Sequence, residues 1–160
     1  MKKYPLIFLL TLLAYSLYAQ DVSSFFTKTD QFLKTYVQNG TVAYEKIHSN
    51  PSALDELFNI AATLSISKEE DHYKAFWINA YNLAVIKGII TNYPMNSPLD
   101  KGGFFDKITY EIAGQKVTLN TIENTLLRAQ FKDPRLHFVL VCGAIGCPPL
   151  IPKAYFPETL

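Results

Sequence analysis

Apolar residues recur at helical spacing through the first ninety positions. In DVSSFFTKTDQFLKTYVQ (21–38), Phe25, Phe26, Phe32, Leu33, Tyr36 and Val37 fall on one side of a helix. Asn39-Gly40 predicts its end. The stretch 44–49 is too short for its period to decide. Residues 52–64 repeat the helical pattern after Pro51, with Leu54, Leu57, Phe58, Ala61 and Leu64 together. Ser67-Lys68-Glu69-Glu70 has the form of a capping box and predicts a long helix over 68–91. Its apolar residues, Phe76, Trp77, Ile78, Leu83, Val85, Ile86 and Ile89 among them, point in nearly every direction. A helix apolar all round is a central one. Tyr93-Pro94 predicts its end.

The second half changes period. Residues 92–106, with two prolines and Gly102-Gly103, read as a loop. Residues 107–112 alternate, with Ile108, Tyr110 and Ile112 on one face. Ala113-Gly114 supplies the turn and 115–119 the return, which predicts a hairpin. Asn120-Thr121-Ile122-Glu123 shows capping-box spacing, so a helix with Ile122, Leu126, Leu127 and Phe131 inward is expected up to Asp133-Pro134. The apolar run LHFVLVC (136–142) predicts a buried core strand, followed by the loop GAIGCPPLIP. The fold class is therefore α+β: N-terminal helices, a central buried helix, a β-hairpin and a core strand.

The first nineteen residues, MKKYPLIFLLTLLAYSLYA, alter the picture of where this chain works. Two lysines, an apolar run and Ala19 form the three-part pattern of a secretory signal peptide. The run is short for a membrane span, which needs about 20 apolar residues. The expectation is a leader over 1–19, a helical region over 20–66 and a domain over 67–160, secreted or periplasmic. No stable membrane span is expected after cleavage. AYFPETL at the end reads as a loop entering a helix, so a C-terminal truncation is expected. Of 15 basic residues two, Lys2 and Lys3, lie in the leader, so 13 stand against 14 acidic ones, a formal charge of −1. With no basic run, nucleic-acid binding has no electrostatic support. The expected partner is an unidentified ligand or envelope component.

Two cysteines, Cys142 and Cys147, bracket Gly143 and Gly146. In a secreted chain they form a disulfide, stay buried thiols, or leave one functional thiol. His48 and His72 sit in polar settings. His137 heads the expected strand, either as a satisfied core residue or as a base for a thiol. On one straight strand His137 and Cys142 point to opposite faces, about 16 Å apart at about 3.3 Å per residue. Local geometry thus favours pairing Cys142 with Cys147. A papain- or transglutaminase-like order of elements is a fold-level analogy only, because the central helix holds no cysteine. Glu123 reads as a capping residue, and Arg128 and Arg135 as solvated or paired. No ligand spacing supports a metal or other cofactor.

Asn79 and Asn82 lie about 60° apart on the central helix, at about 100° per residue. A buried amide must be partnered, so the two either brace a loop or line a polar pocket. FWINAYNLAVIKGII, TLNTIENTLLR and DPRLHFVLVCGAIGCPPL, in that order, resemble the family called domain of unknown function 547. The resemblance runs from about Tyr73 to the end. It brings no established activity. It implies that Asn79, Asn82, Glu123, His137 and Cys147 occupy signature positions. It also implies that Cys142 is the more dispensable cysteine, and that further sequence follows Ala154-Tyr155 in the family. The functional expectation is a binding or structural module. Its binding pocket would be lined by Asn79, Asn82 and surface tyrosines. The alternative is a thiol hydrolase or acyltransferase with Cys147 as nucleophile, His137 as base, and Asn79, Asn82 or Glu123 as orienting groups.

Overall fold

A computed structural model describes residues 22–160 apart from Glu70 and Ile145. The expected leader lies outside these residues. Helix α1 covers 22–36 and places Phe25, Phe26, Phe32 and Leu33 in the core, on the face expected of it. It gives way to strand β1 (Val37–Gln38), which pairs antiparallel with β2 (Thr41–Val42). Asn39-Gly40 therefore turns a hairpin as well as ending a helix. Both residues have positive φ, at 50° and 78°, as a two-residue turn of this hand requires. Helices α2 (Tyr44–Ser49) and α3 (Ser52–Thr63) follow.

Helix α4 (Tyr73–Thr91) is the axis of the fold. Sixteen of its residues are buried, Asn79 and Asn82 with them, as an all-apolar helix predicts. Its two charged residues, Lys74 and Lys87, each meet an aspartate, Asp133 and Asp55. The helix begins later than the expected residue 68. Ser67 turns its hydroxyl onto the Glu69 carboxylate, a local bond that competes with helix capping. Strands β3 (Tyr110–Ile112) and β4 (Gln115–Val117) form the expected hairpin, with Ala113 and Gly114 both at positive φ. The turn also closes α3. The Ala113 and Gly114 N–H groups donate to the Ala61 and Ala62 carbonyls at 2.7 and 3.0 Å. Those carbonyls would otherwise be orphans of the helix end.

Two expectations need correction beyond the hairpin. Helix α5 (residues 119–131) is capped by Thr118, whose hydroxyl accepts from the Thr121 N–H at 3.1 Å. Glu123 does not close a capping box. The middle of α5, Thr121–Arg128, is wound as π-helix. Its buried residues Ile122 and Leu127 are five apart, the spacing that i→i+5 winding stacks on one side. The second correction concerns 136–142. Leu136–Val139 is a helical turn, α6, and the chain is extended only from Leu140. Leu136 and Leu140, four apart, are buried, while His137 and Phe138 face out, Phe138 at 66% exposure. A short apolar run suits a buried helix turn and a buried strand equally, and here the helical period wins. The α+β class stands, with helices around α4 and two small antiparallel sheets.

Candidate functional site

The two buried asparagines of α4 hold the segment 139–155 by its backbone. The Asn82 amide donates to the Val139 carbonyl at 2.9 Å, and its oxygen accepts from the Val141 N–H at 2.9 Å. One turn earlier, Asn79 donates to the Tyr155 carbonyl at 2.7 Å and accepts from the Tyr155 N–H at 3.0 Å. Its amide also donates to Ala75 O in its own helix. Each side chain thus offers one donor and one acceptor, as a neighbouring β-strand would. Bracing, the first of the two expected roles, is what these bonds describe. Asp30 of α1 adds a third clasp, its carboxylate accepting from Ala154 N at 3.1 Å.

Cys142 and Cys147 are joined in a disulfide, with α-carbons 6.1 Å apart. The bridged loop lies on α4. A Cβ on Gly143 would come within 2.8 Å of Ile89 and 3.1 Å of Val85, so only glycine lets the backbone approach this closely. In this state neither sulfur is a thiolate. His137 sits exposed on α6, its ring 5.4 Å from that of Phe138.

Glu123 belongs to a third group. Its carboxylate takes Nε and Nη2 of Arg128, both at 2.9 Å, and the phenol of buried Tyr81 at 3.3 Å. On an α-helix, residues five apart stand about 140° from each other. The π winding of α5 brings Glu123 and Arg128 together. Burial, and then the Glu123 charge, push the Tyr81 phenol well above its ordinary range.

The fourth group escaped the sequence reading. Lys74, from the first turn of α4, and Arg135 both bond Asp133. Lys74 Nζ lies 2.7 Å from the carboxylate, and Arg135 grips it with Nε and Nη2 at 2.7–3.1 Å. Lys74 and Asp133 are largely covered, whereas the Arg135 side chain is 73% exposed. The cluster borders a cavity of about 160 Å³ that Ile78, Leu136 and Val139 line on its apolar side. The available signals were two: a lysine in an otherwise apolar helix, and Asp-Pro-Arg, where the aspartate accepts from the N–H two residues on, Arg135 N at 3.0 Å.

Arg135 first, then Lys74, hold the Asp133 carboxyl well below its ordinary 3.8. The folded state therefore binds fewer protons here than the unfolded chain. The stabilisation is complete above the ordinary aspartate range and is lost as pH falls through it towards the folded value. Melting curves from about pH 7 to about pH 2 should show wild-type stability falling below about pH 4. Asp133→Asn should flatten that acid-side slope. An unchanged slope would mean that other carboxylates set it.

Among the described residues no helix is long and apolar enough to cross a membrane. Nor does any group of three or more His, Cys, Asp or Glu gather that could hold a metal ion. The family model described as a protein of unknown function, DUF547, matches residues 65–160. The chain belongs to the DUF547 family. No curated protein and no solved structure matches the chain. The matched stretch of this DUF547 protein runs from just before α4 to the last residue. It contains the asparagine clasps, the Tyr81–Glu123–Arg128 group, the bridge and the Lys74 cluster.

Proposed function

We propose that this DUF547 protein works outside the cytoplasm as a non-catalytic module, binding or structural, locked by the Cys142–Cys147 bridge. The observation that carries the reading is the bridge itself. It ties up both cysteines of the chain, and such bonds persist in oxidising compartments. The asparagine clasps support it, because amides committed to backbone are spent on architecture. The leader pattern over 1–19 agrees with the location.

Intact mass after iodoacetamide treatment of the secreted, full-length protein tests this. The expected result is no label without reductant and two labels after it. Rapid labelling of Cys147 alone at mildly acidic pH would overturn the proposal. It would mark a thiolate of depressed pKa and put the hydrolase or acyltransferase reading, with Cys147 and His137, in its place.

A further inference from the structure

We infer that Asn39 is a self-modification site: the Gly40 nitrogen displaces its side-chain amide, and the iso-aspartate that results unseats the bridged loop. Water is the only co-reactant.

Asparagine amides are thermolabile, and the path runs through the backbone nitrogen of the next residue. Here that nitrogen attacks Asn39 Cγ and forms a C–N bond. The side-chain nitrogen leaves as ammonia, taking up the proton that the backbone nitrogen gives up. A five-membered succinimide remains, and water opens it. Opening at Cγ gives aspartate. Opening at the main-chain carbonyl leaves the chain running through Cγ, as iso-aspartate. Nothing is oxidised or reduced.

Sequence and fold both direct the reaction to this residue. Asn39 is the one asparagine of the chain followed by glycine, so no side chain shields the attacking nitrogen. It is exposed at the tip of the β1–β2 turn. In a β-turn the hydrogen bond joins the residues on either side of the central pair, which leaves the second central N–H outside the ladder. The flanking strands are two residues each, and a hairpin so short opens readily. Asn96 is the contrast. It too is exposed and precedes a small residue, but the Ser97 N–H donates to the Asp100 carboxylate at 2.9 Å. Asn79 and Asn82 are buried within α4, where helical bonds occupy the nitrogens that follow.

Gly40 is also where the far side of the bridged loop rests. A Cβ on it would stand 2.6 Å from Pro149 Cβ. Pro149 lies two residues past Cys147, and Leu150 beside it is buried. Iso-aspartate inserts an extra carbon into the main chain of a two-residue turn and hangs a carboxylate on it. The turn then loses the paired positive φ values that set its hand, and Gly40 loses its fit against Pro149. Aspartate, the other product, keeps the backbone of asparagine and tolerates the left-handed region, so it leaves the seat in place.

Ageing the oxidised full-length protein at mildly alkaline pH tests this, read by peptide mass with enzymatic methylation to mark iso-aspartate. The Asn39 peptide should gain the mass of an amide turned acid first, ahead of the Asn96 peptide. Hydrogen exchange of the Cys147 N–H, which donates to the Ala144 carbonyl, and of the Leu150 N–H should speed up by about tenfold in the iso-aspartyl fraction. Asn39→Asp carries the charge without the extra carbon and should exchange as wild type does. Asn39→Gly keeps the turn type and has no amide to lose, so ageing should leave its exchange unchanged. Conversion of Asn96 as fast as Asn39 would overturn the site. Iso-aspartate at residue 39 with unaltered exchange at Cys147 and Leu150 would overturn the unseating. So would an aged Asn39→Gly protein that loosens as much as wild type.

Discussion

Replacing Asn82 with leucine is expected to lower the stability of the domain by about 3 kcal/mol. The side chain is 2% exposed and of similar size to leucine, so packing changes little. What changes is bonding. The Val139 carbonyl and the Val141 N–H lose their partners together. Each lost bond is worth about 1 kcal/mol net, and an orphaned group costs about 1–3 more where water is kept out. Val139 and Val141 are half-buried, so the low end of that range applies. A loss near 3 kcal/mol should lower Tm by roughly 10 °C in a domain of this size. Thermal melts of wild type and variant check it.

Asn82→Asp separates the hydrogen bonds from the volume. At neutral pH an ionised carboxylate would face the Val139 carbonyl, where a donor is required, in a buried position. Burial and the carbonyl both favour the protonated acid, so its folded pKa is raised. Protonated, it donates to Val139 O while its other oxygen accepts from Val141 N. The penalty should therefore be full above the raised pKa and shrink as pH falls through it. The gap in Tm between this variant and wild type should narrow from about pH 7 to about pH 4. A gap that stays constant would show that the introduced carboxyl does not change protonation over this range, and an Asn82→Leu variant that melts with wild type would show that the clasp contributes nothing.

The clasp also marks where sequence reading stops. That Asn79 and Asn82 are buried and need partners followed from the apolar residues around them. Who the partners are did not, because Val139, Val141 and Tyr155 lie 57–76 residues away and are engaged through backbone that carries no residue signature. The same division runs through the fold. The burial of α4 and the Ala113-Gly114 hairpin were legible, since periodicity and turn chemistry act within a few residues. The run 136–142 was ambiguous by its nature, and the hairpin at Asn39-Gly40 was hidden behind a helix-stop signal that uses the same two residues. The π winding of α5 followed from no local rule, although Ile122/Leu127 and Glu123/Arg128 are both five-residue pairs. The Lys74–Asp133–Arg135 cluster was missed because its members sit 59 residues apart, in segments judged separately as core helix and helix stop.

Gly88→Val should be as damaging as the loss of Asn82, for the opposite reason. Gly88 is an ordinary helical residue of α4, and alanine there would gain about 1 kcal/mol of helix propensity in isolation. The neighbours forbid it. A Cβ would stand 2.6 Å from the Tyr110 hydroxyl and 2.8 and 2.9 Å from the Phe104 ring. Phe104 is fully buried and Tyr110 nearly so, and neither can retreat into solvent without uncovering the core. Valine adds two methyl groups to that crowding and gains less in propensity, so a loss of about 3 kcal/mol is expected. Tyr110→Phe supplies the control. The phenol is buried against α4 with no hydrogen-bond partner among the described residues, and its burial pushes its pKa up to about 12. Removing an unsatisfied hydroxyl should be neutral or stabilising. Combined with Gly88→Ala, it should restore part of the lost stability, because one of the three close approaches disappears and the two sites are in contact. The Phe104 approaches remain, so restoration should be incomplete. Full additivity of the two changes, measured by denaturant unfolding, would show that β3 does not rest on Gly88. The hairpin would then lack the close backbone approach that seats it on the central helix.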